Sequence, residues 1–304
     1  MSLLTLDSGM SNDHGRRLRE QLEDPEIAVM PGVYDALSAR LAEQAGFETI
    51  FTSGFSISAT QLGKPDVGLL TMSENIAQLR TIADALSVPL VADLDTGYGN
   101  ALNVRRTVES AIDAGVAGGI LEDQRWPKRC GHMEDKAVVE APEHARRIRA
   151  AADVRAETGD EFIIIGRTDA RGPHGLEEAI RRGHIYADAG ADVIFVEAPE
   201  SRAELEAVAE AFDVPTFANM IEGGKTPYLS YDELESIGFD IVVYPLSGLF
   251  AATNAMQEVF ETLGEAGTTT GVDTVSFDAF EGIIDAETFR EQERQYADLY
   301  HEAE

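Results

Sequence analysis

Lysine is nearly missing from this chain. Of 24 basic residues in 304, only Lys64, Lys128, Lys136 and Lys225 are lysines, which leaves 20 arginines (24 − 4). Against them stand 55 acidic residues, for a formal net charge of −31. Gripping phosphate needs a clustered basic footprint, so nucleic acid is excluded as a partner. An acidic shell stripped of lysine fits adaptation to very high salt, where a Debye length of about 3 Å screens the self-repulsion. An acidic enzyme of ordinary salt is the plainer alternative. The single cysteine, Cys130, rules out an internal disulfide and fits a reducing, cytoplasmic setting. No apolar run reaches the roughly 18 residues of a membrane span, so no membrane partner is expected. Residues 1–20 are mostly polar, with one short apolar stretch at 3–6, and do not read as a secretory signal.

What is present is a repeated pattern. A helical segment ends in glycine and a short apolar run follows, at 43–51 (EQAGFETIF), 112–121 (IDAGVAGGIL), 187–196 (ADAGADVIFV) and 235–243 (ESIGFDIVV). Glycine takes the left-handed conformation that ends a helix. The β-branched run after it reads as a strand buried on both faces. Further apolar runs bring the expected strands to eight, at 27–30, 49–52, 89–93, 118–122, 162–166, 193–197, 216–219 and 240–244. Strands alternating with helices imply parallel βαβ units, and eight of them suit a closed (β/α)8 TIM-type barrel. An open doubly wound sheet is the alternative, weakened because no dinucleotide glycine fingerprint follows the first strand. The expected organisation is a polar arm over 1–25, the barrel over 26–250 and appended helices over 251–304. The last segment carries Phe277, Phe280, Ile283, Ile284, Phe289, Tyr296 and Tyr300, too apolar for a solvated tail. It is expected to pack on this barrel or on a neighbouring subunit.

Active sites of such barrels lie at the C-terminal ends of the strands. The residues there are Ser53 and Gly54, Asp93 and Asp95, Glu122, Arg167, Glu197 and Asn219. Asp93 and Asp95, two apart, are expected to leave one face of an extended segment. With Glu122 they make an oxygen-only set suited to a hard cation such as Mg²⁺, with Mn²⁺ as the alternative. The plainer reading of Asp95 is a cap on the turn at Thr96-Gly97. Arg167 suits bidentate binding of a carboxylate, or a structural ion pair with a strand-end acid. Glu197 and Asn219 could contact substrate or orient Arg167. Cys130 sits in Lys128-Arg129-Cys130-Gly131-His132, where nearby cations favour a thiolate. That makes it a catalytic candidate rather than a core residue. His132 could donate to a carboxylate or brace the loop. The other histidines have no strand-end placement and are read as structural or solvent-facing.

These segments resemble the isocitrate lyase/phosphoenolpyruvate mutase superfamily, in its methylisocitrate lyase-like branch. KRCGH (128–132) is similar to the lyase signature, DLDTGYG (93–99) to the metal segment and LEDQ (121–124) to the motif on the next strand. The likeness runs over about 28–300, through LGKPD (62–66), GRTDA (166–170), NMIEGGKTP (219–227) and YPLS (244–247). It implies a carbon–carbon lyase that cleaves a hydroxylated di- or tricarboxylate, with 2-methylisocitrate giving pyruvate and succinate as the leading case. A 2,3-dimethylmalate or other alkylmalate, or isocitrate, is the alternative substrate. Oxaloacetate decarboxylation and phosphonate mutase chemistry fit less well, because those relatives generally lack the cysteine. The resemblance implies Mg²⁺ held by Asp93, Asp95 and Glu122, with Asp66 beside them. It gives catalytic roles to Cys130 (proton donor), Arg167, Lys128 and His132, and substrate contacts to Ser53, Gly54, Arg129, Gly131, Glu197 and Asn219. It also implies a homotetramer, a dimer of dimers that exchange C-terminal helices. Phe51 stands where methylisocitrate lyases usually carry tyrosine, and Phe55-Ser56 interrupts their glycine run. Phe195 resembles a residue of the substituent pocket, and core packing is its plainer role.

Overall fold

The computed structural model describes residues 13–131 and 135–301. Eight parallel strands close into one barrel in chain order: β1 (Ala28–Val33), β2 (Ile50–Thr52), β3 (Leu90–Asp93), β4 (Gly118–Glu122), β5 (Ile163–Thr168), β6 (Val193–Val196), β7 (Thr216–Asn219) and β8 (Ile241–Tyr244). β8 returns to β1 with Ala28 opposite Ile241 and Met30 opposite Val243. The expected (β/α)8 barrel is therefore the fold. β1 and β5 run further than the apolar runs suggested, since Gly32 and Gly166 interrupt hydrophobicity without ending pairing. As a result Arg167 lies within β5, opposite Glu122 of β4 and Phe195 of β6.

Thirteen helices are described: α1 (His14–Leu22), α2 (Ala36–Gln44), α3 (Gly54–Leu62), α4 (Met72–Ala83), α5 (Ala101–Asp113), α6 (Ala141–Thr158), α7 (Arg171–His174), α8 (Leu176–Ala189), α9 (Arg202–Ala209), α10 (Tyr231–Ile237), α11 (Ser247–Ala266), α12 (Phe277–Ile283) and α13 (Ala286–His301). Their starts are chemically marked. Asp35, Thr71, Asn100 and Ser230 each cap a helix with the side chain and donate their own backbone N–H to the side chain of the third helical residue. Several ends are marked by left-handed glycines, among them Gly63, Gly159, Gly190 and Gly238.

Alternation along the strands divides the core in two. In β5, Ile163 and Ile165 face the barrel interior with Met30, Val91, Ile120, Phe195 and Phe217. Ile164 faces outward with Leu79, Val108, Ile148 and Val208 of the helical layer. This is the period-two placement expected of strands covered on both faces. The interior cluster also contains Leu18 of α1, which is 1% exposed. The 1–25 segment was expected to be a polar arm with some helix, and its described helix also contributes to the core. Two leucines, Leu18 and Leu22, among arginines and glutamates give only a short periodic signal, and the packing shows where they go. Two compact units divide between Leu249 and Phe250. No helix among the described residues is long and apolar enough to cross a membrane.

Candidate active site

A cleft opens at the strand C-termini and draws its walls from β2 through β8. On its polar side the ends of β3 and β4 meet. Asp93 accepts from the backbone N–H groups of Gly54 (3.2 Å) and Asp95 (3.0 Å). The first amide of α3 thus turns its partial positive charge toward a carboxylate. Asp95 is not extended, as the two-residue spacing suggested. Its φ is 51°, in the left-handed region. That conformation is held by its N–H bond to Asp93 and by its carbonyl, which accepts from Glu122 N at 2.9 Å. The bend turns the Asp95 carboxylate onto Lys128 Nζ, 2.6 Å away. Gly54 is close-packed here: a Cβ would lie 3.1 Å from Asp93 Oδ2 and 3.2 Å from Asp95 Oδ1.

Lys128 is 3% exposed and also pairs with Asp66 at 2.6 Å. Burial alone would lower its pKa, but Asp95, Asp66 and Asp93 outweigh that and raise it well above the usual lysine range. Burial pushes Asp95 up to about 6 despite Lys128. Burial also holds Glu122 well above the usual carboxylate range, against the pull of Arg167. Asp66 is therefore Lys128's ion-pair partner on the cleft wall.

The opposite polar group centres on Arg167. Its Nε and one terminal nitrogen donate to the two oxygens of Asp169 at 2.8 and 3.0 Å. The same nitrogen lies 3.1 Å from Glu197 and 3.4 Å from Glu122. The guanidinium also stacks over the Phe195 ring at 5.1 Å. Arg167 is ion-paired, as its structural reading had it, and it also lines the cleft. Glu197 orients it, while Asn219 reaches Glu197 only at 3.4 Å and leaves its own Oδ1 buried without a partner. Arg167 and Lys136 hold Asp169 below the usual carboxylate range, overcoming a burial effect that would raise it.

The Cys130 segment crosses this cleft. Its base is fastened by an antiparallel bridge of Gln124 with Val138 and by Arg125 N donating to Ala137 O at 2.7 Å. The Gln124 side chain grips Arg129 at both ends, accepting from its N–H (2.9 Å) and donating to its carbonyl (2.8 Å). Arg129, Cys130 and Gly131 all line the cleft, with Cys130 half-buried. A Cβ at Gly131 would fall 2.5 Å from Glu197 Cδ and 2.6 Å from an Arg167 nitrogen, so only glycine allows this approach. His132 lies outside the described residues. Ser53, 8% exposed, precedes α3 and makes no side-chain capping bond. The apolar floor is aromatic: Phe217 lies 4.6 Å from Phe195 and 6.1 Å from Phe51, ring to ring. Ile221, Val243 and Leu246 extend it.

Charge tests the fit of a divalent cation. Six buried carboxylates (Asp66, Asp93, Asp95, Glu122, Asp169 and Glu197) face three enclosed cations (Lys128, Lys136 and Arg167). Fully ionised, that leaves three negative charges unbalanced. Glu122 Oε1 is buried without a partner. No three Asp, Glu, His or Cys side chains among the described residues converge tightly enough to hold an ion by themselves. Mg²⁺ commonly keeps several waters and uses one or two carboxylates, so the oxygen-only set fits it. Sequence reasoning gave no role to Lys136, Asp169, Gln124 or Phe217. The signals for Asp169 were its place in GRTDA (166–170) and the Arg167-x-Asp169 spacing, which repeats the Asp-x-Asp spacing of the other half of the site.

The profile of the phosphoenolpyruvate phosphomutase family matches residues 18–263. The 2,3-dimethylmalate lyase of Eubacterium barkeri is 44% identical over 283 residues, 92% of this chain and 97% of its own length. The 2-methylisocitrate lyase of Bacillus subtilis (strain 168) is 39% identical over 267 residues, 88% of this chain and 87% of its own. The structure of an oxaloacetate acetylhydrolase in complex with the inhibitor 3,3-difluorooxalacetate superposes with a TM-score of 0.91 at 34% identity, covering 94% of this chain and 98% of the other.

Proposed function

The chain belongs to the phosphoenolpyruvate mutase/isocitrate lyase superfamily, and from that premise we propose that it is a Mg²⁺-dependent lyase of alkyl-substituted malates, of the 2,3-dimethylmalate type. The observation that carries this reading is the division of the cleft. Carboxylates, Arg167 and Lys128 line one side, and Phe51, Phe195, Phe217, Ile221 and Leu246 line the other. An alkyl branch is stabilised on the apolar side by roughly 0.8 kcal/mol per buried CH₂ group. Two of the three enclosed cations, Lys128 and Arg167, line the cleft, one for each carboxylate of a dicarboxylate. The high identity to the Eubacterium barkeri lyase agrees with this choice. A second reading, 2-methylisocitrate, is supported by exposed Arg129 beside Cys130, which could take a third carboxylate.

Asp93, Asp95 and Glu122 would hold Mg²⁺ directly or through water. When bound, the ion would lower the pKa of the substrate hydroxyl and hold the 2-oxo acid product. A base accepts the hydroxyl proton, the C2–C3 bond breaks to give a 2-oxo acid, and C3 of the departing fragment carries the electron pair as an enediolate. Arg167 stabilises that charge. The half-buried Cys130 delivers the proton to C3, giving propionate from dimethylmalate or succinate from methylisocitrate. The exposed apolar residues of the C-terminal segment, among them Phe260, Phe277 and Phe289, support assembly into a homo-oligomer, proposed as a tetramer.

Turnover in molar KCl with Mg²⁺ on 2,3-dimethylmalate, 2-methylisocitrate, isocitrate and oxaloacetate tests the reading. Preference for dimethylmalate with pyruvate and propionate released is the expected result. Preference for 2-methylisocitrate establishes the second reading. Cleavage of oxaloacetate alone, or full activity in chelator, overturns the proposal.

A further inference from the structure

We infer that Lys136 is a positioning residue that fastens the Cys130 segment over the cleft and, through Asp169, sets the guanidinium of Arg167. Its part in turnover rests on the lyase reading above; its geometry does not. The Lys136 side chain is 4% exposed. Its Nζ donates to the Gly131 carbonyl at 2.5 Å and to Asp169 Oδ1 at 2.8 Å. The same Asp169 oxygen accepts from Arg167 at 3.0 Å. One ammonium therefore joins the residue after the cysteine to the acid that orients Arg167.

The surrounding bonds argue against a merely structural ion pair. The base of the segment is already tied by Gln124 with Val138, by Arg125 with Ala137, and by Val139 N donating to Asp123 O at 2.8 Å. Asp169 keeps two bonds from Arg167 without the lysine, and its own N–H donates to Asp123 at 2.9 Å. Removing the amine would therefore orphan no buried carboxylate, and the fold should survive. What the amine adds is a hold on the Gly131 carbonyl, one residue from Cys130, where the backbone already presses on Glu197 and Arg167. It also supplies positive charge to Asp169. Without it Arg167 is the one cation within ion-pair distance of Asp169 among the described residues while it also pairs with Glu197 and Glu122, and less of its charge is available to a substrate carboxylate.

Cys130 is the sole thiol of the chain, so its alkylation rate reads the position of this segment with no substrate present. We expect Lys136→Met to label with iodoacetamide about 10- to 100-fold faster than wild type, the shift that loss of one charge-assisted hydrogen bond produces. Lys136→Arg, which keeps charge and donors, should label within about threefold of wild type. kcat/KM on the preferred acid should fall with Met and be largely restored with Arg. If the Met variant does not fold, Lys136→Gln replaces it, with the same direction expected. A folded Met or Gln variant that labels at the wild-type rate overturns the inference. Faster labelling in a protein that cleaves none of the tested acids would sink the proposed reaction and keep the latch.

Discussion

Lowering the pH from 8 to 5 should destabilise the protein chiefly through His144. This side chain of α6 is fully buried, and its ring meets Tyr186 at 4.6 Å in an edge-on contact. Its Nε2 lies 3.1 Å from the Leu121 carbonyl, which can only accept, so Nε2 carries the hydrogen. Its Nδ1 is buried with no partner. A second proton would place a charge there with nothing to receive it, beside Arg147 and Arg182. Burial, aided by Arg147, lowers its pKa from 6.5 to about 3. The unfolded chain therefore binds this proton at pH values where the native state does not. Stability is intact above about 6.5 and is lost progressively as pH falls toward 3. At pH 5 the gap is about 1.5 pKa units at about 1.4 kcal/mol each, or roughly 2 kcal/mol. Urea unfolding of wild type and His144→Gln at both pH values isolates it. Carboxylates raised by burial, such as Asp123, act in the opposite direction but equally in both proteins. Wild type should lose about 2 kcal/mol more than the variant on acidification. Equal losses would refute the assignment of a neutral, strongly depressed His144. The consequence reaches the site, because Leu121 directly precedes Glu122 on β4.

Three further outcomes are expected. Cys130→Ser should retain its unfolding midpoint and lose about 10²- to 10⁴-fold in carbon–carbon cleavage, the worth of a positioned proton donor; unchanged turnover would remove the thiol from the mechanism. Gly54→Ala, whose methyl would press on Asp93 and Asp95, should lower kcat by about tenfold or more, or about 1.4 kcal/mol in the barrier. Wild-type kinetics for that variant would mean the carboxylates have room to move. Leu18→Ala should cost about 2–5 kcal/mol in urea unfolding, as for other buried leucines; a loss under about 0.5 kcal/mol, typical of surface changes, would show that α1 contributes nothing to the core.

The barrel was legible because its signals are local. Glycine-ended helices followed by β-branched runs mark strands without knowledge of their neighbours, and all eight strands lie where those runs fall. Strand-end chemistry was legible for the same reason: once the strands are known, Asp93, Glu122, Arg167 and Asn219 must sit near one rim. Interruptions such as Gly32 and Gly166 hid the true ends of β1 and β5, because pairing with neighbouring strands continues where hydrophobicity stops.

The sequence by itself determined the eight-strand alternation, the oxygen-rich rim, and the pairing of a lone cysteine with cationic neighbours. Each follows from residue type and short spacing. Tertiary structure alone decided which charges meet. It bent the Asp95 carboxylate onto Lys128, set Leu18 in the barrel interior, and brought Lys136 to Asp169 across 33 positions of chain. Ion pairing and core packing act through distance in space, and a linear spacing carries no record of it.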